Sequence, residues 1–218
     1  MLELACGPGD HIREFHCRGL RVAAVDISEA MVEYVRTHLS HGLGAELLVG
    51  DMADFHLAQP VDLAITMIDS LPYLTTNDQL VMHLRCVRQA LHPGGIYVVE
   101  LRHPRDIWFP GDTRTTVNRW TMERGGLTVT TDWGAEVERD PLHQTERVLT
   151  RITVEKGDRR DVIESWGTLR PLLPQELLVL ADLAGGWRFA GWWGDFDIAR
   201  PLGHDERDWR MIAAFQTC

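Results

Sequence analysis

MLELACGPGD, residues 1–10, sets a short apolar run directly before Gly7-Pro8-Gly9. A strand that delivers glycines to a helix N-terminus puts bare backbone beside unpaired N–H groups, which suits a ligand pressed against the main chain. The dinucleotide-binding pattern GxGxxG shares this layout, but its third position wants a small residue and here holds Ile12. Alone the turn is a weak signal, since many glycine turns merely close a loop. Its weight comes from the residues downstream of it.

Four more apolar runs come next: RVAAVDIS (21–28), AELLVGDM (45–52), VDLAITMI (61–68) and IYVVEL (96–101). Between them lie helical stretches. One runs to about Arg18, one is EAMVEYVRTHLS (29–40) capped by Ser28, and one is NDQLVMHLRCVRQALHPGG (77–95), ending at Pro93-Gly94-Gly95. Strands apolar on both faces and separated by helices predict a parallel sheet covered on both sides.

The rhythm changes after Arg102. HPRDIWFPGDTR (103–114) reads as a loop, and extended stretches near 117–137, 144–155 and 159–169 read as an antiparallel meander. Its turns fall at Gly125-Gly126, Asp140-Pro141 and Lys156-Gly157-Asp158. Leu127, Val129 and Trp133 alternate, which gives that meander one buried face. LPQELLVLADLAG (173–185) is a helix, and WRFAGWWGDF (187–196) and DWRMIAAFQ (208–216) are closing strands. The expected fold is a Rossmann-like, mostly parallel seven-stranded sheet flanked by helices, with an antiparallel insertion after the fifth strand. Residues 1–101 form the core, 102–170 the insertion, and 171–218 the closing helix and strands.

The 218 residues carry a net charge of -10, which argues against nucleic acid or an anionic membrane surface as a partner. No apolar run approaches spanning length, and the N-terminus lacks the basic and apolar regions of a secretion signal. Cys6, Cys17, Cys86 and Cys218 are scattered and form no CxxC pair, as expected of reduced thiols in a cytoplasmic protein. His11 and His16 with Cys17 are spaced too widely around a helix for a metal site, so no metal is expected.

Successive strand ends carry Glu3 with Gly7, Asp26, Asp51-Met52, and Met67-Ile68-Asp69, and in an open parallel sheet such ends meet at the ligand crevice. A lone aspartate at a strand end is usually a cap or turn former, and a lone methionine is usually core. A joint occurrence at four strands is poorly explained that way.

LELACGPG, VAAVDIS, GDMADF, DLAITMIDSLPYL and LHPGGIYVVE, in this order, resemble the successive motifs of class I S-adenosylmethionine-dependent methyltransferases of the small-molecule type. The resemblance implies that S-adenosylmethionine is the cofactor. Glu3 would lie near its methionine end, with Ala5, Gly7 and Gly9 in the turn beneath. Asp26 would bind the ribose hydroxyls, Ile27 would flank the adenine, and Asp51 with Met52 would meet the adenine edge, with Met67 at the next strand end. It implies in-line transfer to an N or O atom of a small-molecule acceptor, with the protein aligning the reactants and excluding water.

A base helps if the acceptor is a hydroxyl or an ammonium group. His103, two residues after the fifth strand, and Asp69, after the fourth, are the candidates, and Tyr73 either lines the pocket or packs. DSLPY (69–73) also resembles the DPPY-type motif of enzymes that methylate base amino groups, but the residues differ and the acidic charge opposes that reading. A module that binds the cofactor without turnover is the remaining alternative. The insertion is expected either to cover the acceptor or to meet a second subunit. The family usually has one or two helices before the first strand, and Met1 stands where it often has Val. The natural protein is therefore expected to extend further upstream.

Overall fold

The computed structural model describes residues 1–38, 44–108, 119–203 and 207–218. They fall into two compact units: Met1–Leu71 with Thr76–His103 and Leu172–Cys218, and Pro72–Thr75 with Pro104–Pro171.

The first unit is a seven-stranded sheet. Its strands are β1 (Leu2–Leu4), β2 (Ala23–Asp26), β3 (Glu46–Val49), β4 (Val61–Thr66), β5 (Leu91–Arg102), β10 (Trp187–Trp193) and β11 (Arg210–Thr217). Their order is β3-β2-β1-β4-β5-β11-β10. The pairings from β3 through β5 are parallel, β11 runs antiparallel to β5, and β10 antiparallel to β11. Helices α1 (Asp10–Cys17), α2 (Glu29–His38), α3 (Asn77–Ala90) and α5 (Pro174–Ala184) complete this unit. Leu2, Leu4, Ala23, Ala24 and Val25 are all buried, as continuous apolar runs in a covered sheet should be. Ile12 of α1 is fully buried against Met1, Cys6, Val22, Ala24, Val35 and Ile65. The residue that breaks the dinucleotide pattern thus serves the core.

α3 opens with a capping box, in which Thr76 Oγ1 accepts from Gln79 N at 3.2 Å and Gln79 Oε1 accepts from Thr76 N at 3.2 Å. The sequence carries this helix on to Gly95, but it stops at Ala90 and β5 begins at Leu91. Pro93 and the left-handed Gly94 (φ 78°) cannot continue a helix. Leu91 instead pairs with Val61, the chain bulges, and Ile96 pairs with Leu63.

The second unit contains a four-stranded antiparallel sheet, β6 (Arg119–Arg124), β7 (Leu127–Asp140), β8 (Thr145–Lys156) and β9 (Arg159–Leu169), in that order. The first extended stretch (117–137) is a hairpin that turns back at Gly125 and Gly126 (φ 58° and 75°), where the sequence places a turn, and so supplies two strands; residues 117–118 lie outside the described residues. Part of the expected loop is also helical: α4 spans Pro104–Trp108, with proline at its first position, and the rest of the 103–114 segment lies outside the described residues.

The register sorts the two faces of this sheet. Trp120, Thr131, Ile152 and Ile163 share one cross-strand row, and Met122, Val129, Val154 and Asp161 the next. On the opposite face Arg119, Asp132, Arg151 and Glu164 form a row of alternating charge, with Arg151–Glu164 at 2.6 Å. Beside it Thr121 and Thr130 join hydroxyls at 3.0 Å.

Candidate active site

The strand order reverses between β1 and β4, so loops leaving these two strands diverge and open a crevice at the carboxyl edge. Glu3 lies in β1 with its side chain 4% exposed, and its Oε1 is 2.7 Å from His11 Nδ1 in the first turn of α1. Burial pushes the Glu3 carboxyl up while the His11 bond pulls it down, and Glu3 in turn raises His11. The second oxygen, Oε2, is buried with no hydrogen-bond partner. A buried carboxylate oxygen left so is costly, and an ammonium group would satisfy it.

The turn after β1 takes left-handed conformations at Ala5 (φ 54°), Gly7 (φ 51°) and Gly9 (φ 78°). Gly9 is also the N-cap of α1, with no side-chain cap, which leaves the first N–H groups of the helix facing the turn. Asp26, at the last position of β2, closes this turn. Its Oδ2 accepts from Gly7 N at 2.8 Å and its Oδ1 from Ser28 N at 2.9 Å. Each oxygen keeps a lone pair for a further donor such as a hydroxyl. Next to it Ile27 is 77% exposed, an apolar surface at the edge of the cleft. Cys6, pushed up to about 12 by burial, is no nucleophile here.

Beyond β3, Asp51 Oδ1 accepts from Ala53 N at 2.8 Å and its main-chain oxygen from Asp54 N at 3.0 Å, which makes a compact turn. Met52 within it is buried. Two side chains of α3 reach its carbonyls: His83 Nδ1 lies 2.9 Å from Met52 O, and Cys86 Sγ donates to Ala53 O at 3.4 Å. Met67, after β4, packs against the core cluster that holds Ile12 and Met1.

Just beyond β4 the backbone is strained. Ile68 and Asp69 sit at φ 55° and 53°, and the cost for a β-branched residue there is held by a carboxylate network. Glu100 Oε2 accepts from Ile68 N at 2.9 Å, and its Oε1 pairs with Arg210 Nε at 2.8 Å. Asp69 Oδ1 accepts from Arg102 N at 3.0 Å while its Oδ2 pairs with the Arg102 guanidinium at 2.8 Å. Both oxygens of this candidate base are therefore engaged by one residue. His103, the other candidate, is buried directly after β5. Tyr73 belongs to the second unit, where its ring packs over Gly167.

Glu3, Asp26, Asp51 and Met67 thus stand along one edge of the sheet, at or just beyond the ends of four adjoining strands. Their partners were not evident from sequence. His11 stood out only as a metal ligand, and His83 interrupts the stripe Leu80, Leu84, Val87, where a polar residue on a buried helix face was the available signal.

Residues 1–95 match the family model of the methyltransferase domain. This stretch spans β1 through the start of β5 and holds every cleft residue up to Asp69. Over 133 residues the chain is 32% identical to a dTDP-3-amino-3,4,6-trideoxy-alpha-D-glucopyranose N,N-dimethyltransferase of Streptomyces venezuelae, covering 59% of this chain and 52% of that protein. Over 110 residues it is 31% identical to a dTDP-4-amino-2,3,4,6-tetradeoxy-D-glucose N,N-dimethyltransferase of Saccharopolyspora spinosa, covering 50% and 41%. The matches thus span about half or less of these relatives' lengths. Among solved structures, an S-adenosylmethionine-dependent methyltransferase from Clostridium acetobutylicum superposes with a TM-score of 0.79 at 17% identity, covering 99% of this chain and 82% of that one. That likeness shows the fold alone: a mostly parallel seven-stranded sheet flanked by helices. Among the described residues no helix is long and apolar enough to cross a membrane.

Proposed function

We propose that the chain is an S-adenosylmethionine-dependent methyltransferase that acts on a nitrogen or oxygen atom of a small molecule. One observation carries this reading: the partnerless, buried Glu3 Oε2 sits on the strand that leads into the glycine turn braced by Asp26. Glu3 Oε2 would accept the amino group at the methionine end of the cofactor, and the Asp26 oxygens the ribose hydroxyls. Ile27 would cover one adenine face, and Asp51 with Met52 the adenine edge. The cofactor supplies an activated methyl group. The protein's share is to fix the acceptor in line and to keep water out.

The two curated relatives are named for amino groups on dTDP-linked sugars, which supports an amine as the first acceptor to test. The net charge of -10 supports a small molecule over nucleic acid. The free thiols Cys6, Cys17, Cys86 and Cys218 fit a reducing, cytoplasmic setting. An amine attacks only when unprotonated, and with Asp69 committed to Arg102 we assign the base to His103. The same commitment of Asp69 favours a second reading, a module that binds the cofactor without turnover. For the insertion (102–170), we place a second copy of the chain on the apolar face that exposes Trp120, Met122, Leu127 and Ile163, since a monomer rarely leaves so wide an apolar face to water.

Titration calorimetry with S-adenosylhomocysteine, followed by a methyl-transfer assay over amines and phenols that includes dTDP-amino sugars, tests these readings. Binding with transfer supports the enzyme, binding without transfer the module, and absence of binding refutes both.

A further inference from the structure

α3 buries a complete histidine. His83 has no exposed surface, and it is one of the few fully enclosed titratable groups of the first unit. Desolvation lowers its pKa to about 4, so the ring is neutral and carries a single N–H. The partner on one side settles which nitrogen holds that proton. Met52 O can only accept, so Nδ1 donates to it across 2.9 Å. Nε2 is left as an acceptor for the Tyr97 hydroxyl at 2.8 Å, and Thr66 Oγ1, 2.9 Å from Tyr97 Oη, completes the row. The chain of bonds runs from the turn after β3, through α3, to β5 and the last residue of β4.

Sheet stability alone does not call for this arrangement. An apolar side chain at position 83 would continue the stripe of Leu80, Leu84 and Val87 and avoid burying a polar ring. The imidazole instead spends its one proton on the main chain of a turn that the sheet does not otherwise hold, since Met52 lies outside the strands. Cys86, one helical turn further along, bonds the next carbonyl, that of Ala53. Two consecutive peptide oxygens of the turn are thereby drawn toward α3, which fixes the peptide planes and with them the heading of Asp51.

We propose that His83 is a positioning residue for cofactor binding: through Nδ1 it holds the Met52 carbonyl, and so sets the turn that meets the adenine. This rests on the reading of the cleft as an S-adenosylmethionine site. Tyr97 and Thr66 serve to hold the ring in this tautomer, and they do not touch the ligand.

The two nitrogens can be separated by substitution. In His83→Asn the side-chain amide takes the place of Nδ1 and keeps the Met52 bond. In His83→Gln it takes the place of Nε2 and keeps only the Tyr97 bond. Both variants lose a buried bond and should melt below the wild type. S-adenosylhomocysteine affinity, measured by calorimetry at a temperature where circular dichroism shows both folded, should fall about tenfold in His83→Gln and stay within twofold in His83→Asn. Tyr97→Phe, which leaves Nδ1 alone, should lower the melting temperature and keep affinity within twofold. Should the His83 variants not fold, the wild type provides the test. The His83 Nδ1–H resonance, identified by its tie to the buried ring, should shift when S-adenosylhomocysteine is added. Equal affinity in His83→Asn and His83→Gln, a Tyr97→Phe loss as large as that of His83→Gln, or an unmoved Nδ1–H resonance overturns the proposal. A wild type that does not bind S-adenosylhomocysteine at all overturns the reading of the cleft and this inference with it.

Discussion

The Asp26 carboxylate accepts the main-chain N–H of Gly7 at 2.8 Å, so one side chain ties the end of β2 to the turn after β1. The same oxygens are those assigned to the ribose. Asp26→Ala should therefore weaken S-adenosylhomocysteine binding by roughly ten- to a hundredfold, through lost charge-assisted bonds and a loosened turn. Calorimetry on the two proteins measures it. Unchanged affinity would remove Asp26 from the site.

The base assignment makes a separate demand. His103→Ala should lower transfer to the best acceptor of the panel by about a hundredfold, within the range for general base catalysis, and leave S-adenosylhomocysteine affinity within twofold. If transfer persists at the wild-type rate, His103 is a buried structural residue and the acceptor reacts without a protein base.

Ile68 offers a test of stored strain. Its φ of 55° suits glycine, and its side chain is 69% exposed, so little packing is lost on removal. Relief of the left-handed penalty should outweigh the extra chain entropy of glycine, and Ile68→Gly should be more stable by about 0.5–1 kcal/mol. A rise in melting temperature of a few degrees is the expected readout. A clear fall would mean that the Ile68 side chain is held by contacts of its own.

Acid should find the molecule through His83. In the unfolded chain the imidazole has its ordinary value of 6.5, and in the fold burial lowers it to about 4. The unfolded state binds the proton first, so stability is full above pH 6.5 and declines as pH falls from there toward 4, by up to about 3 kcal/mol. Urea denaturation at several pH values should show that slope in the wild type. In His83→Asn it should be reduced by the same amount.

For the four-stranded sheet the expected outcome is a change of mass. Met122→Asp or Ile163→Asp places a charge on the apolar face, where both residues are more than half exposed. Light scattering should then report a shift from dimer to monomer while the circular dichroism spectrum is kept. A wild type that is already monomeric refutes the assignment of a second copy to this face.

The parallel core was legible because its strands are apolar on both faces, and a two-faced apolar run of four to six residues leaves few alternatives. The boundary at Leu91 was not. Pro93-Gly94-Gly95 announces the end of a helix, but Leu91 already pairs with Val61, a partner thirty residues away in the chain that no local pattern reveals. Cleft positions followed the same division. Glu3, Asp26 and Asp51 could be listed by their distance from strand ends, whereas the groups that hold the cleft walls come from elsewhere. His83 reaches Met52 from another helix, and Arg210 reaches Glu100 from the last strand. Asp69 was visible as a carboxylate, but its engagement by Arg102 depends on a backbone turn at φ 53° that local propensity does not forecast.

Arg102, the last residue of β5, pairs in register with Arg210, the first residue of β11, although the whole stretch Pro104–Pro171 lies between them in the chain. The ladder joining these strands is written entirely in residues that flank the excursion. Recombination or drift within 104–171 can therefore exchange one sheet for another, or change its length and surface, without shifting a hydrogen bond of the seven-stranded scaffold. The seven-stranded scaffold and the excursion are therefore free to change independently of one another.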